Sequence, residues 1–192
     1  MTNKYFNKKA HDLAFNYINN NVIISELEAN SIVSKIGFNI SKMDLDHLIN
    51  LPRLHFKDIN SETGNSCIFK NNLGTIRSKL QASGVYIFTH KATGSSYVGS
   101  SSQLSRRLVG YFRKTHRSTG KFLPLLYNTG IDNFSLDVIV VENGMHIVLE
   151  QYFLLHKKYN LNTLKIANSI YSTKNKPLYL YTKNPTKLTY YS

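Results

Sequence analysis

Apolar residues fall at helical spacing through the first quarter of the chain. Leu13, Ala14, Tyr17 and Ile18 share one helical face, and Asn19-Asn20-Asn21 interrupts it. Ser25 followed by Glu28 has the form of a capping box. It predicts a helix through Ala29, Ile32, Val33 and Ile36 that ends at Gly37. Ser41 opens a shorter helix through Leu45, Leu48 and Ile49, stopped before Pro52. Residues 53–79 are polar and rich in turn formers, and read as a linker with one short helix near Thr75–Gln81. At Gly84 the pattern changes to strand, turn, strand and helix. Gly84-Val85-Tyr86 opens the first strand, Lys91-Ala92-Thr93-Gly94 is the turn, and Tyr97-Val98-Gly99 lies on the second strand. Ser100-Ser101-Ser102 is placed to cap the helix that follows. Further on, Gly120–Asn128 reads as a short helix with Pro124 in its first turn, and Asn133–Val141 as a buried strand. Gly144–Lys158 reads as a long apolar helix with a basic end, 159–169 as a loop, and the stretch from Pro177 onward as a β-hairpin.

Composition narrows the class. A chain of 192 residues with 42% hydrophobic content can bury a core. One cysteine, Cys67, excludes an internal disulfide framework and a cysteine-based zinc site. No run of about 18 apolar residues is present, so no membrane partner is expected. The first residues have neither a signal-peptide apolar region nor the Arg-rich form of a transit peptide. Net charge is +13, and residues 81–192 hold fourteen Lys and Arg against four Asp and Glu. That excess predicts a polyanion-binding surface, with nucleic acid as the first candidate. Abundant Asn, Ile, Lys and Tyr with no Trp suggest an A+T-rich coding genome.

Candidate chemistry follows from helical geometry and from scarce carboxylates. On the helix after Ser101, Leu104, Leu108, Tyr111 and Phe112 share an apolar face, and Arg107 emerges at its edge while Arg106 points to solvent. An arginine held at such an edge suits bidentate phosphate contact; it equally suits a solvated, phosphate-steering role. Of the four carboxylates after residue 80, only Glu150 is bracketed by apolar neighbours on a helix. A carboxylate so placed needs a cation or hydrogen bonds; the cation is either a hard divalent ion with mostly water ligands, or Arg107 or a lysine in an ion pair. Tyr86 and Tyr97 lie on adjacent strands and can approach on one face, as general base candidates or as core residues. Arg113, Lys114, His116, Arg117 and Lys121 form a basic run that, with Arg106, is the candidate nucleic-acid surface. No P-loop, dinucleotide fingerprint, Ser/His/Asp pattern or histidine metal spacing occurs.

These residues resemble the GIY-YIG nuclease family over about residues 80–170. The paired motifs stand here as Gly84-Val85-Tyr86 and Tyr97-Val98-Gly99, with Arg107 eight residues beyond the second glycine. Leu149-Glu150-Gln151-Tyr152 places Glu150 in the metal-ligand position, and Asn162 twelve residues later corresponds to an active-site asparagine, with Asn160 as the alternative. Val85 replaces isoleucine, and Tyr111 stands where some members carry histidine. The segment is most similar to fungal mitochondrial intron-encoded homing endonucleases. The resemblance implies an α/β (α+β) core: a three-stranded, largely antiparallel sheet at about 84–90, 96–100 and 134–141, flanked by helices. A helical N-terminal region (1–52), a linker (53–79), a nuclease domain (80–168) and a C-terminal tail (169–192) complete the expected organisation. It further implies one Mg²⁺ or Mn²⁺ on Glu150, double-stranded DNA as partner, and a mitochondrial, organelle-encoded origin. Tyr86, aided by Tyr111, would handle the attacking water, Arg107 the pentacovalent phosphorus, and Tyr97 with Asn162 the positioning. The competing expectation is a catalytically silent, maturase-like factor that binds intron RNA.

Overall fold

The computed structural model describes residues 8–77, 81–142 and 144–167, and the backbone of 178–181 and 188–191. Near the N-terminus lie α1 (Lys8–Asn19), α2 (Glu26–Val33) and α3 (Lys42–Ile49). The local signals act as expected. Ser25 accepts from the Leu27 amide, Glu28 reaches back to the Ser25 amide, and Gly37 closes the following turn at φ 89°. Ser41 caps α3 by accepting from the Asp44 amide.

The stretch after Pro52 departs from the linker reading of its local structure. Leu54–Phe56 is a strand, β1, and Cys67–Leu73 is a helix, α4. The short helix therefore lies upstream of the expected 75–81. Ser66 caps it by accepting from Phe69, and Gly74 ends it at φ 80°. Of the expected span, the described residues 75–77 and 81 are not helical, and 78–80 lie outside the described residues.

The sheet is built from β1, β2 (Gly84–His90), β3 (Ser96–Ser101) and β4 (Phe134–Val140), in the order β1-β4-β2-β3 with every pairing antiparallel. It has four strands rather than three. The three-residue β1 pairs Leu54 with Val138 and Phe56 with Leu136, and it is too short to give a periodic signal. Facing residues of β1 and β4, His55 and Asp137, are joined by a side-chain hydrogen bond.

Central strand β2 is buried on both faces, with only Thr89 partly exposed. Val85 and Ile87 meet Val98, Ile139 and the helix α7 (Met145–Leu154), through Val148, Leu149 and Phe153. Ala29 and Val33 of α2 and Leu45 and Leu48 of α3 join this same cluster. The N-terminal helices thus share a core with the sheet. Tyr86 and Phe88 face the other way. They meet α5 (Leu104–Phe112) and α6 (Phe122–Thr129), through Leu108, Tyr111, Phe112, Phe122 and Leu126, with Phe69 and Leu73 of α4 behind.

Two helix ends differ from expectation. Serines 100–102 do not cap α5: Ser100 and Ser101 belong to β3, and the residue before α5 is Gln103, which makes no side-chain cap. The free amides at the start of α5 are met by the segment just before β2, Leu104 donating to the Ala82 carbonyl and Arg106 to Gln81 Oε1. Helix α7 ends at Leu154, before the basic pair Lys157-Lys158. There a ring nitrogen of His156 bonds the Tyr152 carbonyl, the acceptor that the His156 amide would need to continue the helix. The following segment is held by Gln151, fully buried, whose amide donates to the Lys165 carbonyl and accepts from the Ala167 amide. Strands β5 (Leu178–Tyr181) and β6 (Leu188–Tyr191) pair antiparallel as the expected C-terminal hairpin; its turn lies outside the described residues. Among the described residues no helix is long and apolar enough to cross a membrane.

Candidate active site

Tyr86 stands at the centre of the aromatic face. It is 2% exposed, and its hydroxyl lies 2.9 Å from that of Tyr111 on α5. Its partner on β3 is Gly99, and register decides what that glycine is for. A Cβ on Gly99 would lie 2.5 Å from the Tyr86 hydroxyl, so the bare backbone of β3 is what lets the Tyr86 ring lie across it. Gly84 serves close approach as well: a Cβ there would overlap the Ile139 carbonyl oxygen. The first and last residues of the paired motif are thus glycines because the sheet leaves no room for side chains at either point.

Tyr97 flanks the pair. Its ring centre is 6.4 Å from that of Tyr86, and it stacks on Phe122 at 4.2 Å with an interplanar angle of 4°. All three phenols are pushed up by burial, Tyr86 and Tyr97 well above the ordinary value; Arg107 opposes the rise in each. They are therefore hydroxyls near neutrality, able to donate and accept hydrogen bonds but not to act as phenolates. Arg107 leaves α5 on the solvent side, and the field of Tyr86 is first among the groups that hold its proton more firmly. Among the described residues it makes no ion pair; those present lie elsewhere.

Glu150 reaches the site from the opposite face of the sheet. Residues 96, 98 and 100 of β3 face α7, and Ser100 Oγ donates to Glu150 Oε2 at 2.6 Å. Glu150 keeps some accessible surface, yet its carboxyl is crowded by protein. Desolvation raises its pKa to about 7, against the opposing pull of the Ser100 hydrogen bond and the Arg107 charge. It acts electrostatically on Tyr97, Tyr111 and Arg107 in turn. The two faces meet here because β3 is the edge of the sheet, with no further strand to separate them.

Asn162 is brought to the edge of β3. Its Oδ1 accepts from the Val98 amide at 2.9 Å and its Nδ2 donates to the Val98 carbonyl at 2.7 Å. Asn160 does related work one step along, accepting from the Ser96 amide at 3.3 Å, while the Leu161 amide donates to the Ser96 carbonyl at 3.1 Å. Both ends of the Asn162 amide are therefore spent on the exposed edge of β3, which this segment covers. Asn162 holds the strand that carries Tyr97.

The basic candidates divide. Arg106, Arg113, Lys114, Arg117 and Lys121 are exposed. Arg106, Arg107 and Arg113 line a groove with Gln103, Thr115 and His116, next to Ser101. His116 is half-buried and turned back onto α5. Ser100 is the functional contact that sequence reasoning missed. Its signal was the two-residue alternation on β3, which puts it on the face of Val98 and α7, and it was hidden by reading the serine run as a cap.

The arrangement is an arginine, three clustered phenols and one under-compensated carboxylate around the edge strand β3, beside a basic groove. Such a site suits polarisation of a phosphate rather than nucleophilic catalysis by the protein. Residues 82–162 match the family model described as the GIY-YIG catalytic domain, which assigns this stretch a nuclease-type fold. No curated protein and no solved structure matches the chain.

Proposed function

We propose that this chain is a metal-dependent endonuclease that hydrolyses DNA phosphodiester bonds, of the intron-encoded homing type. The observation that carries the reading is the convergence of Tyr86, Tyr111, Arg107 and Glu150 around the edge strand β3. The basic balance of the second half supports a nucleic-acid substrate. The A+T-like composition supports a mitochondrial, organelle-encoded origin.

Glu150 fits a divalent cation. Its carboxylate is short of positive charge, and among the described residues no group of three or more His, Cys, Asp or Glu comes together. One carboxylate suffices for an ion otherwise held by water and substrate, as Mg²⁺ would be, with Mn²⁺ as substitute. The chemistry such an ion supplies there is neutralisation of charge on the leaving 3′ oxygen. Arg107 contacts the non-bridging oxygens and stabilises the pentacovalent phosphorus. Tyr86, its hydroxyl held by Tyr111, orients the attacking water for in-line displacement. Because both phenols stay protonated, their part is alignment and relay of hydrogen bonds. Tyr97 borders the phosphate, on a strand held in place by Asn162.

The test is incubation with a DNA duplex carrying the uninterrupted intron-insertion sequence, with and without Mg²⁺, at two salt concentrations. Mg²⁺-dependent strand cleavage that Glu150→Ala and Arg107→Ala each lower by about 10²–10³-fold is the expected result. Binding to intron RNA with no nicking of DNA would replace it with the splicing-factor reading.

A further inference from the structure

Five features converge on one imidazole that the reading above leaves without a part. Lys114 takes φ 53°, a left-handed conformation that a non-glycine residue adopts only under constraint, and it turns the chain back on α5. The Thr115 amide donates to the Gly110 carbonyl at 2.9 Å and closes that turn. Tyr127 of α6 donates its hydroxyl to the His116 carbonyl at 2.7 Å. The His116 ring then lies 4.3 Å from the Tyr111 ring, centre to centre, with Nε2 3.2 Å from the Arg107 carbonyl. Finally, Gly110 sits inside a helix, where alanine is the better residue, yet a Cβ there would fall 2.5 Å from His116 Nε2. The glycine is the seat of the ring.

We propose that His116 is a positioning residue for the cleavage site, seated against the Arg107 carbonyl and the Tyr111 ring and setting where the guanidinium and the Tyr86–Tyr111 hydroxyl pair stand. The proposal rests on the nuclease reading given above. It follows from contact: one ring touches both residues that Tyr86 and the phosphate depend on, and it does so from a segment outside the helix. Nε2 donates to the Arg107 carbonyl in the neutral ring, leaving Nδ1 as the acceptor. Burial holds the imidazole below the ordinary histidine value, the Arg107 hydrogen bond opposes this, and the Arg107 charge adds to it. The groups around it are Arg106, Arg107 and Tyr111 of α5, Arg113 just after that helix, and Tyr127 of α6.

The experiment uses the full chain. Gly110→Ala favours the helix but blocks the seat, so it separates loss of position from loss of fold. Gly110→Ala and His116→Ala are each expected to lower kcat roughly ten-fold with KM within about two-fold, a misplacement effect. The double variant is expected to fall no further than either single one. His116→Gln, whose amide can reach the Arg107 carbonyl, is expected to recover kcat to within about three-fold of the native protein. In parallel, NMR titration of His116 places it below 6.5 in the native protein and nearer 6.5 in Gly110→Ala. An unchanged kcat in His116→Ala, an additive double variant, or a His116 titration indifferent to Gly110→Ala overturns the proposal. Should the native protein cleave no DNA, the nuclease reading fails by itself. The seat is then judged by the Arg107 Nε–H and Tyr111 ring signals, which shift in His116→Ala and return in His116→Gln if His116 positions them.

Discussion

The two faces of the sheet are built on different principles. On the α5 face, functional groups and core are the same residues: Tyr86 and Tyr111 are both buried aromatics of the packed cluster and the hydroxyls of the site. On the α7 face the core is largely aliphatic, shared with the N-terminal helices, and the site draws on it for one carboxylate and one serine. The aromatic face has stability and function tied together. The aliphatic face can lose its functional group with little damage to packing. Glu150 is costly in its protonation rather than in its shape, since it lies in a desolvated position without an ion-pair partner among the described residues.

The sharpest test of this contrast removes one charged group from each face. Arg107→Ala and Glu150→Ala are each expected to lower DNA cleavage by about 10²–10³-fold, a typical cost of losing one electrostatic stabiliser. Combined, they should lose scarcely more than the worse single variant, because groups that act on one transition state are not additive. Full additivity in cleavage kinetics would show two faces working separately.

A pH series isolates the α7 face. Glu150 rises from 4.5 to about 7 on folding, so the folded form binds its proton more tightly than the unfolded one. Its contribution to stability is complete below pH 4.5 and is lost as pH rises through 7. In metal-free protein the loss is on the order of 1–3 kcal/mol. Denaturant unfolding of Glu150→Gln against native protein reads it: the difference between them should grow from pH 4.5 to 7, and added Mg²⁺ should shrink it. A difference that stays flat with pH would mean the carboxylate is better solvated than its surroundings suggest.

On the aromatic face the corresponding change costs stability and rate together. Tyr111→Phe takes the partner from the buried Tyr86 hydroxyl, and Tyr86→Phe leaves Tyr111 with Tyr97 alone, at about 1–2 kcal/mol for the first and less for the second. Removing both should cost less than the sum, and a double-mutant cycle in urea measures the coupling. Simple additivity would mean that the 2.9 Å contact carries no net energy. The smallest effect is expected at the edge between the faces. Asn162→Ala frees the Val98 amide and carbonyl at about 1 kcal/mol, with faster hydrogen exchange at Val98 as the direct readout.

Much of the fold was legible because its signals are local. The capping box at Ser25, the caps at Ser41 and Gly37, and the apolar face Leu104–Leu108–Tyr111–Phe112 each act within one or two turns, and each is present. The missed elements lack a local signal. Strand β1 is three residues long and exists because β4 offers it an edge. The start of α5 is satisfied by Gln81 and Ala82, more than twenty residues upstream, so nothing beside the helix announces its cap. Helix α7 stops two residues before the basic pair Lys157-Lys158, where the His156 ring takes the carbonyl that its own amide needs.

For the site, the sequence by itself determined the inventory: two tyrosines at fixed spacing around a turn, an arginine at the edge of an amphipathic helix, and one carboxylate in apolar surroundings. Period and spacing determine which face of its own element each residue takes, since side chains alternate along strands and repeat every three to four residues along helices. Tertiary structure alone decided how those faces meet. It set Tyr86 over Gly99, bound Asn162 to Val98, and brought Glu150 to Ser100 at β3. It also folded His116 back into the space left by Gly110. The physical reason is common to all four. Each depends on strand register or on a chain reversal that joins parts of the molecule through a shared packing surface, and such contacts leave no periodic trace in either part alone.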